Sequence, residues 1–127
     1  MTRTDHNPEG GKRSILVVDD EPLIRINLAD FFEDEGFEVF EAESADAAIA
    51  VLEKHPAIRI VLTDVQMPGS MDGVKLAHHV RDRFPPTLLV VASGAVRVTP
   101  EQLPTRTMFI AKPFDPRFVL DEIDRLS

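Results

Sequence analysis

Short runs of consecutive apolar residues alternate along the chain with stretches whose apolar residues recur at helical spacing. Five of the runs indicate β-strands, at residues 15–18, 37–42, 58–62, 88–92 and 108–111. Strands that are apolar along their length are typical of a parallel sheet covered on both faces. The second run carries Glu38 and Glu41 near its ends, which indicates a strand at the edge of the sheet.

The stretches between these runs carry helix start signals. Pro22 opens the first helix, Ser44 and Asp72 cap the second and third, and Asp115 followed by Pro116 begins the last. Each helix has apolar residues that we expect to be buried: Ile24, Leu28, Phe31 and Phe32; Ala45, Ala48, Ile49 and Leu52; Leu76, Ala77, Val80 and Phe84; and Val119, Ile123 and Leu126.

The connection between the fourth and fifth runs departs from this pattern. Residues 99–102 form a capping box with proline at the first helical position, but Pro104 follows at once. The helix there is therefore at most about one turn long. Strands alternating with helices predict an α/β fold, a (βα)₅ doubly wound parallel five-stranded sheet with a truncated or irregular fourth helix. We expect a single domain at residues 14–127, preceded by a flexible tail at residues 1–13.

Composition and charge exclude several classes of function. The chain has 127 residues and no cysteine, so disulfides, thiolate metal sites and cysteine nucleophiles are excluded. Its net charge of −8 disfavours binding to nucleic acid or to an anionic membrane surface. The longest purely apolar run, residues 47–52, is far shorter than a membrane span, and the polar N-terminus is not a secretory signal. We therefore expect a cytoplasmic protein.

The acidic residues are concentrated in one part of the chain. Residues 30–46 contain eight acids and no base, so this stretch holds the whole excess of negative charge. Such a stretch is usually a solvated surface, and the alternative is a docking surface for a basic partner.

Polar residues collect where the predicted strands end. Asp19 and Asp20 follow the first strand, Asp64 the third, Ser93 the fourth and Lys112 the fifth. Ligands of parallel α/β sheets bind at this carboxyl edge. Each residue also has a local explanation, since Asp20 could cap a helix, Asp64 and Ser93 could form turns, and Lys112 could be solvated. Their shared position at one edge favours a functional site.

Three carboxylates at one point repel each other unless a cation lies between them. Carboxylate oxygens select a hard ion, namely Mg²⁺, Mn²⁺ or Ca²⁺. A lysine and a hydroxyl beside them can hold phosphoryl oxygens. Together these groups are the parts needed for phosphoryl transfer to an aspartate.

The sequence resembles the receiver domains of two-component response regulators, of the kind found in chemotaxis. The resemblance rests on Val17-Val18-Asp19-Asp20, Thr63-Asp64, Met67-Pro68, Met71-Asp72-Gly73, Ser93-Gly94 and Lys112-Pro113-Phe114. It implies the flavodoxin-like strand order 2-1-3-4-5.

The resemblance also implies roles for the site residues. Asp64 is then the phosphoacceptor and binds Mg²⁺ (or Mn²⁺) directly together with Asp20, while Asp19 acts mainly through water. The backbone carbonyl of Gln66 is a further metal ligand. Lys112 pairs with the phosphoryl group.

Two further residues belong to the switch that the resemblance implies. Ser93 hydrogen-bonds the phosphoryl group in the active state, and Phe109 is the switch aromatic. Ordinary core packing is the alternative for Phe109. The Lys112–Pro113 peptide bond is expected to be cis.

Two departures from the usual family pattern bear on the output surface. The loop between Asp64 and Gly73 is one residue longer than the commonest spacing, at Gly69-Ser70, and the segment between Ser93 and Lys112 is shorter. We expect residues 95–106 to be irregular and mobile, and to become ordered on phosphorylation or partner contact.

The function expected from the sequence is that of a stand-alone phosphorelay receiver rather than an enzyme. A sensor histidine kinase or a histidine phosphotransfer protein would phosphorylate Asp64, the acyl phosphate would hydrolyse slowly, and the output would pass to another protein.

Three alternatives remain open. One is a receiver excised from a hybrid kinase or larger regulator, and another is a receiver that docks without phosphorylation. The third, an Mg²⁺-dependent aspartyl-phosphate phosphatase, is disfavoured because Asp19 and Asp20 are adjacent rather than in an Asp-x-Asp signature. The four histidines are expected to be solvated, with no metal site among them.

Overall fold

The structure is a computed structural model and describes residues 13–67, 72–94 and 98–126. Its strands are β1 (Ser14–Val18), β2 (Glu38–Ala42), β3 (Ile60–Asp64), β4 (Leu88–Ser93) and β5 (Thr107–Ala111). Its α-helices are α1 (Pro22–Asp34), α2 (Ala45–Lys54), α3 (Gly73–Arg83) and α4 (Pro116–Leu126). A 3₁₀ turn, Pro100–Gln102, lies between β4 and β5.

The five strands form one sheet in the order β2-β1-β3-β4-β5, and every neighbouring pair is parallel. The predicted fold and strand order are confirmed. β2 lies at an edge, as its two glutamates predict. The order reverses between β1 and β3, so the carboxyl ends of these two strands flank the crevice in which such sheets bind ligands.

Alternation along each strand divides the core into two layers. Leu16 and Val18 of β1 pack with α2 and α3 on one face of the sheet. Ile15 and Val17 pack with α1 and α4 on the other. Because side chains of a strand point alternately to its two faces, β1 supports both layers through four consecutive apolar residues after Ser14. All five of its residues are buried.

Three helix starts agree with the predicted caps. Ser44 accepts a hydrogen bond from the Ala47 amide (3.1 Å), Asp72 from the Lys75 amide (3.0 Å) and Asp115 from the Arg117 amide (2.9 Å). The first helix differs. Its capping position is Glu21, whose side chain makes no capping hydrogen bond. The interpretation of Asp20 as a helix cap is therefore wrong.

Several strand bounds and one burial prediction need correction. β1, β2 and β5 begin at Ser14, Glu38 and Thr107 rather than at residues 15, 37 and 108, and Ser93 is the last residue of β4 rather than the residue after it. β3 begins at Ile60 rather than at residue 58, and Asp64 is its last residue rather than the residue after it. Ile58 is still buried, in the turn that precedes the strand. Leu126 was expected to face the core, but it is 52% exposed because it is the last residue of α4, whose buried residues are Val119, Leu120 and Ile123.

The chain's first residues and two loops fall partly outside the description. Residues 1–12 of the predicted tail, and the longer loop at Gly69-Ser70, lie outside the described residues. Arg13 is described and belongs to the packed domain. Its carbonyl accepts a hydrogen bond from Glu38, and its guanidinium lies 4.5 Å from the ring centre of Phe37 and pairs with Asp124.

In the described part of the truncated connection before β5, residues 98–106, two side chains of α3 hold a 3₁₀ turn. Residues 95–97 of this connection lie outside the described residues. Gln102 returns its side-chain oxygen to the Thr99 amide (2.8 Å), as the capping box predicts. His78 Nε2 lies 2.7 Å from the Gln102 carbonyl, and Arg81 hydrogen-bonds the carbonyls of Thr105 and Arg106. The described part of this segment is thus bound to α3.

Candidate functional site

The residues selected at the strand ends meet at the carboxyl edge of the sheet. Asp19 directly follows β1, Asp64 ends β3, Ser93 ends β4 and Lys112 directly follows β5. The backbone ties these positions together. The Asp19 amide donates to Ala42 of β2 (3.1 Å), and the Lys112 amide donates to the Ser93 carbonyl (2.9 Å).

Three carboxylates form a cluster at this edge. Asp19, Asp20 and Asp64 each offer an oxygen, and these oxygens all lie within 4.8 Å of one another. Asp19 is buried, Asp64 is partly buried and Asp20 is exposed. An all-oxygen, multiply charged donor set with one open side fits a hard divalent cation that retains several waters, such as Mg²⁺.

Lys112 faces the cluster from the β5 side. Its Nζ lies 3.3 Å from Asp64 Oδ1 and 3.5 Å from Asp19 Oδ2. Burial opposes the charge of Lys112, but attraction to Asp64 and Asp19 outweighs it and raises the pKa of the ammonium group. The lysine therefore stays charged beside two carboxylates. The Lys112–Pro113 peptide bond is cis, as predicted.

Asp64 is subject to opposing influences. Burial raises the pKa of its carboxyl group, Lys112 lowers it and the neighbouring Asp19 raises it, with a net upward shift. Its side chain is 11% exposed. A carboxylate that is partly desolvated and has one open side is accessible to a reagent and gains from a cation placed beside it.

Asp19 accepts hydrogen bonds from residues at the start of α1 and directly before it. Its Oδ1 accepts a hydrogen bond from the Glu21 amide at 2.9 Å. Arg25, one turn into α1, donates to the Asp19 carbonyl (2.9 Å) and pairs with Glu41 of β2 (3.1 Å). Sequence reasoning missed Arg25. A base one turn after two adjacent acids at a helix start is the pattern that indicates it.

Gly73 allows the closest backbone approach at the site. A Cβ atom at this position would lie 2.0 Å from the Asp64 carbonyl oxygen, so α3 begins directly against the backbone of Asp64. The Gly73 amide donates to the Val65 carbonyl (2.8 Å), and the Val65 amide donates to Ala92 of β4 (3.0 Å). The sequence motif contained Gly73, but the closeness of this contact is visible only in three dimensions.

The remaining predicted residues lie nearby in different environments. Ser93 is buried, with 4% exposure, and Gln66 is exposed two residues beyond Asp64. Phe109 on β5 is 42% exposed, so the alternative of ordinary core packing is wrong for this residue. The roles of these three residues stay predictions.

The three described histidines differ in exposure. His55 and His78 are exposed, as expected, although the ring of His55 lies 4.6 Å from that of Phe40 and His78 Nε2 contacts the Gln102 carbonyl. His79 is half-buried, and its Nε2 is buried without a hydrogen-bond partner among the described residues. The expectation of a solvated side chain is therefore wrong for His79. His6 lies outside the described part of the chain.

Comparison with known proteins assigns this arrangement to a family. The family model for the response regulator receiver domain matches residues 15–124. The response regulator protein FleR of Pseudomonas aeruginosa is 38% identical over 114 residues, and the sporulation initiation phosphotransferase F of Bacillus subtilis is 34% identical over 113 residues. A receiver protein structure from Sinorhizobium medicae covers 91% of the chain and 94% of its own length, with a TM-score of 0.80 and 26% identity.

The chain belongs to the response regulator receiver domain family of two-component systems. Receiver domains bind Mg²⁺ in an acidic pocket and interact with histidine kinases or phosphotransfer proteins. Asp19, Asp20 and Asp64 form such a pocket here.

The relatives differ in how much of their own length is matched. The alignment covers 87% of the chain but 24% of FleR, whereas it covers 86% of the chain and 86% of phosphotransferase F. Within residues 13–67, 72–94 and 98–126, no helix has the length and apolar character needed to cross a bilayer.

Proposed function

We propose that Asp64 accepts a phosphoryl group from the phosphohistidine of a sensor kinase or phosphotransfer protein, with Mg²⁺ in the acidic pocket. The observation that carries this assignment is the carboxylate of Asp64 at the end of β3, 3.3 Å from the ammonium group of Lys112 and beside Asp19 and Asp20. It combines a nucleophile, a cation-binding group and a fixed positive charge at one edge.

The transfer is a displacement at phosphorus. A carboxylate oxygen of Asp64 forms the new P–O bond while the P–N bond to the donor imidazole breaks, and the departing imidazole takes up a proton from solvent. When bound, Mg²⁺ neutralises charge on the phosphoryl oxygens. Asp20 and Asp64 would hold the cation directly, with Asp19 through water and the Gln66 carbonyl completing the set.

Lys112 has two roles in this scheme. Before transfer it pairs with Asp64, which favours the ionised, nucleophilic carboxylate. After transfer it pairs with a phosphoryl oxygen. The cis peptide bond after it and the hydrogen bond from its amide to Ser93 hold its backbone at the edge of the site.

The phosphorylated site would signal through Ser93 and Phe109. A phosphoryl group brings a charge of about −1.5 to −2, and the Ser93 hydroxyl moves to hydrogen-bond it. Phe109 lies on β5, two residues before the end of the strand, and is 42% exposed. It turns inward and changes the surface offered to a protein target. The chain acts as a cytoplasmic signalling acceptor with slow self-dephosphorylation, and the receiver unit spans residues 14–127.

Incubation with acetyl phosphate and Mg²⁺, followed by intact-mass measurement, tests this function. We expect one phosphoryl adduct per chain in the wild type, none in Asp64→Asn, and none when EDTA replaces Mg²⁺. Asp121→Asn, at an exposed position of α4, is the matched control and is expected to accept the phosphoryl group normally. An equal adduct in Asp64→Asn would contradict the assignment.

A further inference from the structure

A cavity opens at the amino edge of the sheet, at the opposite end of the strands from the acidic pocket. Its volume is about 560 Å³, which is within the range of small-molecule sites. Its walls come from the starts of β3, β4 and β5 and from the last turns of α3 and α4. None of its lining residues belongs to the acidic pocket.

The cavity is basic in a chain whose net charge is −8. Five arginines line it: Arg13, Arg59, Arg81, Arg106 and Arg125. Arg13 is paired with Asp124, and Arg125 with Glu122. Within the described part of the chain, the other three have no carboxylate within ion-pairing distance. Arg59, Arg81 and Arg106 therefore have no ion-pair partner among the described residues, and the arginines of the cavity outnumber its one lining carboxylate, Glu122.

Two of these arginines, Arg81 and Arg106, lie close together despite their repulsion, and Arg59 is exposed directly before β3. Arg81 donates to the carbonyls of Pro85 (2.5 Å), Thr87 (2.8 Å) and Arg106 (3.0 Å), and carbonyls orient a guanidinium without neutralising it. Burial, followed by repulsion from Arg106, lowers the pKa of Arg81. Arg106 also has a left-handed backbone, with φ of 59°, a conformation that is uncommon for a residue with a long side chain.

The rest of the wall is mixed, with polar side chains from Thr87, Thr107 and Glu122. Its apolar part includes Ile60, Leu88, Met108 and Ile123. A simple inorganic anion would use only the guanidinium groups. An occupant with both an anionic group and a less polar body would use the guanidinium groups and the apolar wall together.

We propose that this cavity binds a small organic phosphate. Its phosphate group accepts hydrogen bonds from Arg59, from Arg106 and from the one guanidinium N–H of Arg81 that does not donate to a carbonyl, and its organic body packs against Leu88 and Met108. Guanidinium groups suit this ligand because they match phosphate oxygens in bidentate geometry and stack on planar groups. The cavity is a second site, chemically opposite to the acidic pocket.

Calorimetric titration of the full chain tests this site, with adenosine monophosphate as the probe. EDTA is present throughout, so that no divalent cation at the acidic pocket can recruit the phosphate. We expect adenosine monophosphate to bind at least about tenfold more tightly than either adenosine or inorganic phosphate, because each of these retains only half of the contacts.

The double variant Arg59→Gln with Arg106→Gln is expected to weaken adenosine monophosphate binding by about tenfold or more. It leaves Arg81, which holds the 3₁₀ turn, in place. Arg83→Gln is the matched control, since Arg83 lies on the same helix end as Arg81 but outside the cavity, where it faces Glu53 at 3.8 Å. It is expected to bind as the wild type does.

Three results would overturn the assignment. They are no binding of adenosine monophosphate to the wild type, equal affinity in the wild type and the double variant, and inorganic phosphate binding as tightly as the nucleotide. An oligoglutamate peptide that binds where the nucleotide does not would also overturn it, in favour of an acidic protein partner. Circular dichroism of both variants distinguishes lost binding from lost folding.

Discussion

The carboxylate of Asp64 carries its negative charge in surroundings that oppose it. Burial disfavours its charge, and the nearby Asp19 adds repulsion, while Lys112 at 3.3 Å compensates in part. The sequence indicated these residues because each one ends or follows an aliphatic strand. It could not indicate the balance between burial and attraction, which depends on distances and exposure.

We predict that Asp64→Asn stabilises the fold at neutral pH in metal-free buffer. The pKa of Asp64 is raised on folding, so its favourable contribution is complete below the ordinary value of 3.8 and is lost as pH rises through the folded pKa. At neutral pH the ionised carboxylate is therefore unfavourable, and its removal raises the free energy of unfolding.

Urea unfolding measures this difference for Asp64→Asn and the wild type between about pH 3 and about pH 8, a range that includes the ionisation of carboxyl groups. The advantage of the variant is expected to shrink as the pH falls. Asp121→Asn, an exposed acid on α4, serves as the control without such a trend. A variant less stable than the wild type at neutral pH would contradict the electrostatic account.

Gly73 gives a second prediction at the scale of one residue. In Gly73→Ala the new Cβ atom would lie 2.0 Å from the Asp64 carbonyl oxygen, so α3 or the end of β3 must shift. We expect a loss of about 1–3 kcal/mol in the free energy of unfolding, together with slower phosphorylation because Asp64 moves.

Gly94→Ala is the matched control for this substitution. Its Cβ atom would meet Lys112 Cβ at 3.6 Å, which is an ordinary contact, and the stability is expected to change by less than about 0.5 kcal/mol. Chemical denaturation of both variants gives the comparison. Equal stability losses would show that the contact with Asp64 is unimportant.

At the scale of elements, α3 contacts both the end of β3 and the connection between β4 and β5. Its first residue lies against the Asp64 backbone, and its last turns hold the connection between β4 and β5 through His78 and Arg81. The position of Pro104 in the sequence correctly predicted that the helical turn in this connection is short. The contacts from α3 could not be predicted, because they join residues 24 or more positions apart in sequence. The mobility expected of residues 95–106 stays a prediction.

We predict that Arg81→Gln loosens this connection. Its guanidinium donates to four carbonyls, those of Pro85, Thr87, Thr105 and Arg106. Their loss is expected to cost about 1–3 kcal/mol and to accelerate amide hydrogen exchange in residues 98–106 relative to the strands. Arg83→Gln, two residues away, is expected to leave exchange unchanged. Unaltered exchange in Arg81→Gln would show that other contacts hold the segment.

At the scale of the whole molecule, two charged clusters lie at opposite edges of the sheet. Asp19, Asp20 and Asp64 lie at the carboxyl ends of the strands, and five arginines line the cavity at the amino ends. The net charge of −8 hides this division. Sequence periodicity predicted the (βα)₅ pattern and the residues at the strand ends, whereas the strand order came from the family resemblance. The sequence did not indicate the basic cavity. Arg13, Arg59 and Arg106 each directly precede a strand, but single arginines before strands are common at surfaces.

We predict that Mg²⁺ stabilises the whole chain through the acidic pocket. An ion that binds only the folded state adds about 1.4 kcal/mol to the free energy of unfolding at a concentration tenfold above its dissociation constant. Asp20→Asn removes one of the three clustered carboxylates and is expected to abolish this gain. Glu43→Gln, an exposed acid outside the cluster, is expected to keep it.

Urea unfolding with and without Mg²⁺, followed by circular dichroism, gives the comparison for each variant. An equal gain in Asp20→Asn would place the ion elsewhere on the acidic surface.

The most direct test of the central assignment is transfer from a phosphorylated histidine phosphotransfer protein in the presence of Mg²⁺. Borohydride reduction converts an aspartyl phosphate to homoserine, and peptide mass mapping then identifies the modified position. We predict homoserine at position 64 alone in the wild type and no modification in Asp64→Asn. Homoserine at another position, or transfer that persists in Asp64→Asn, would contradict the account.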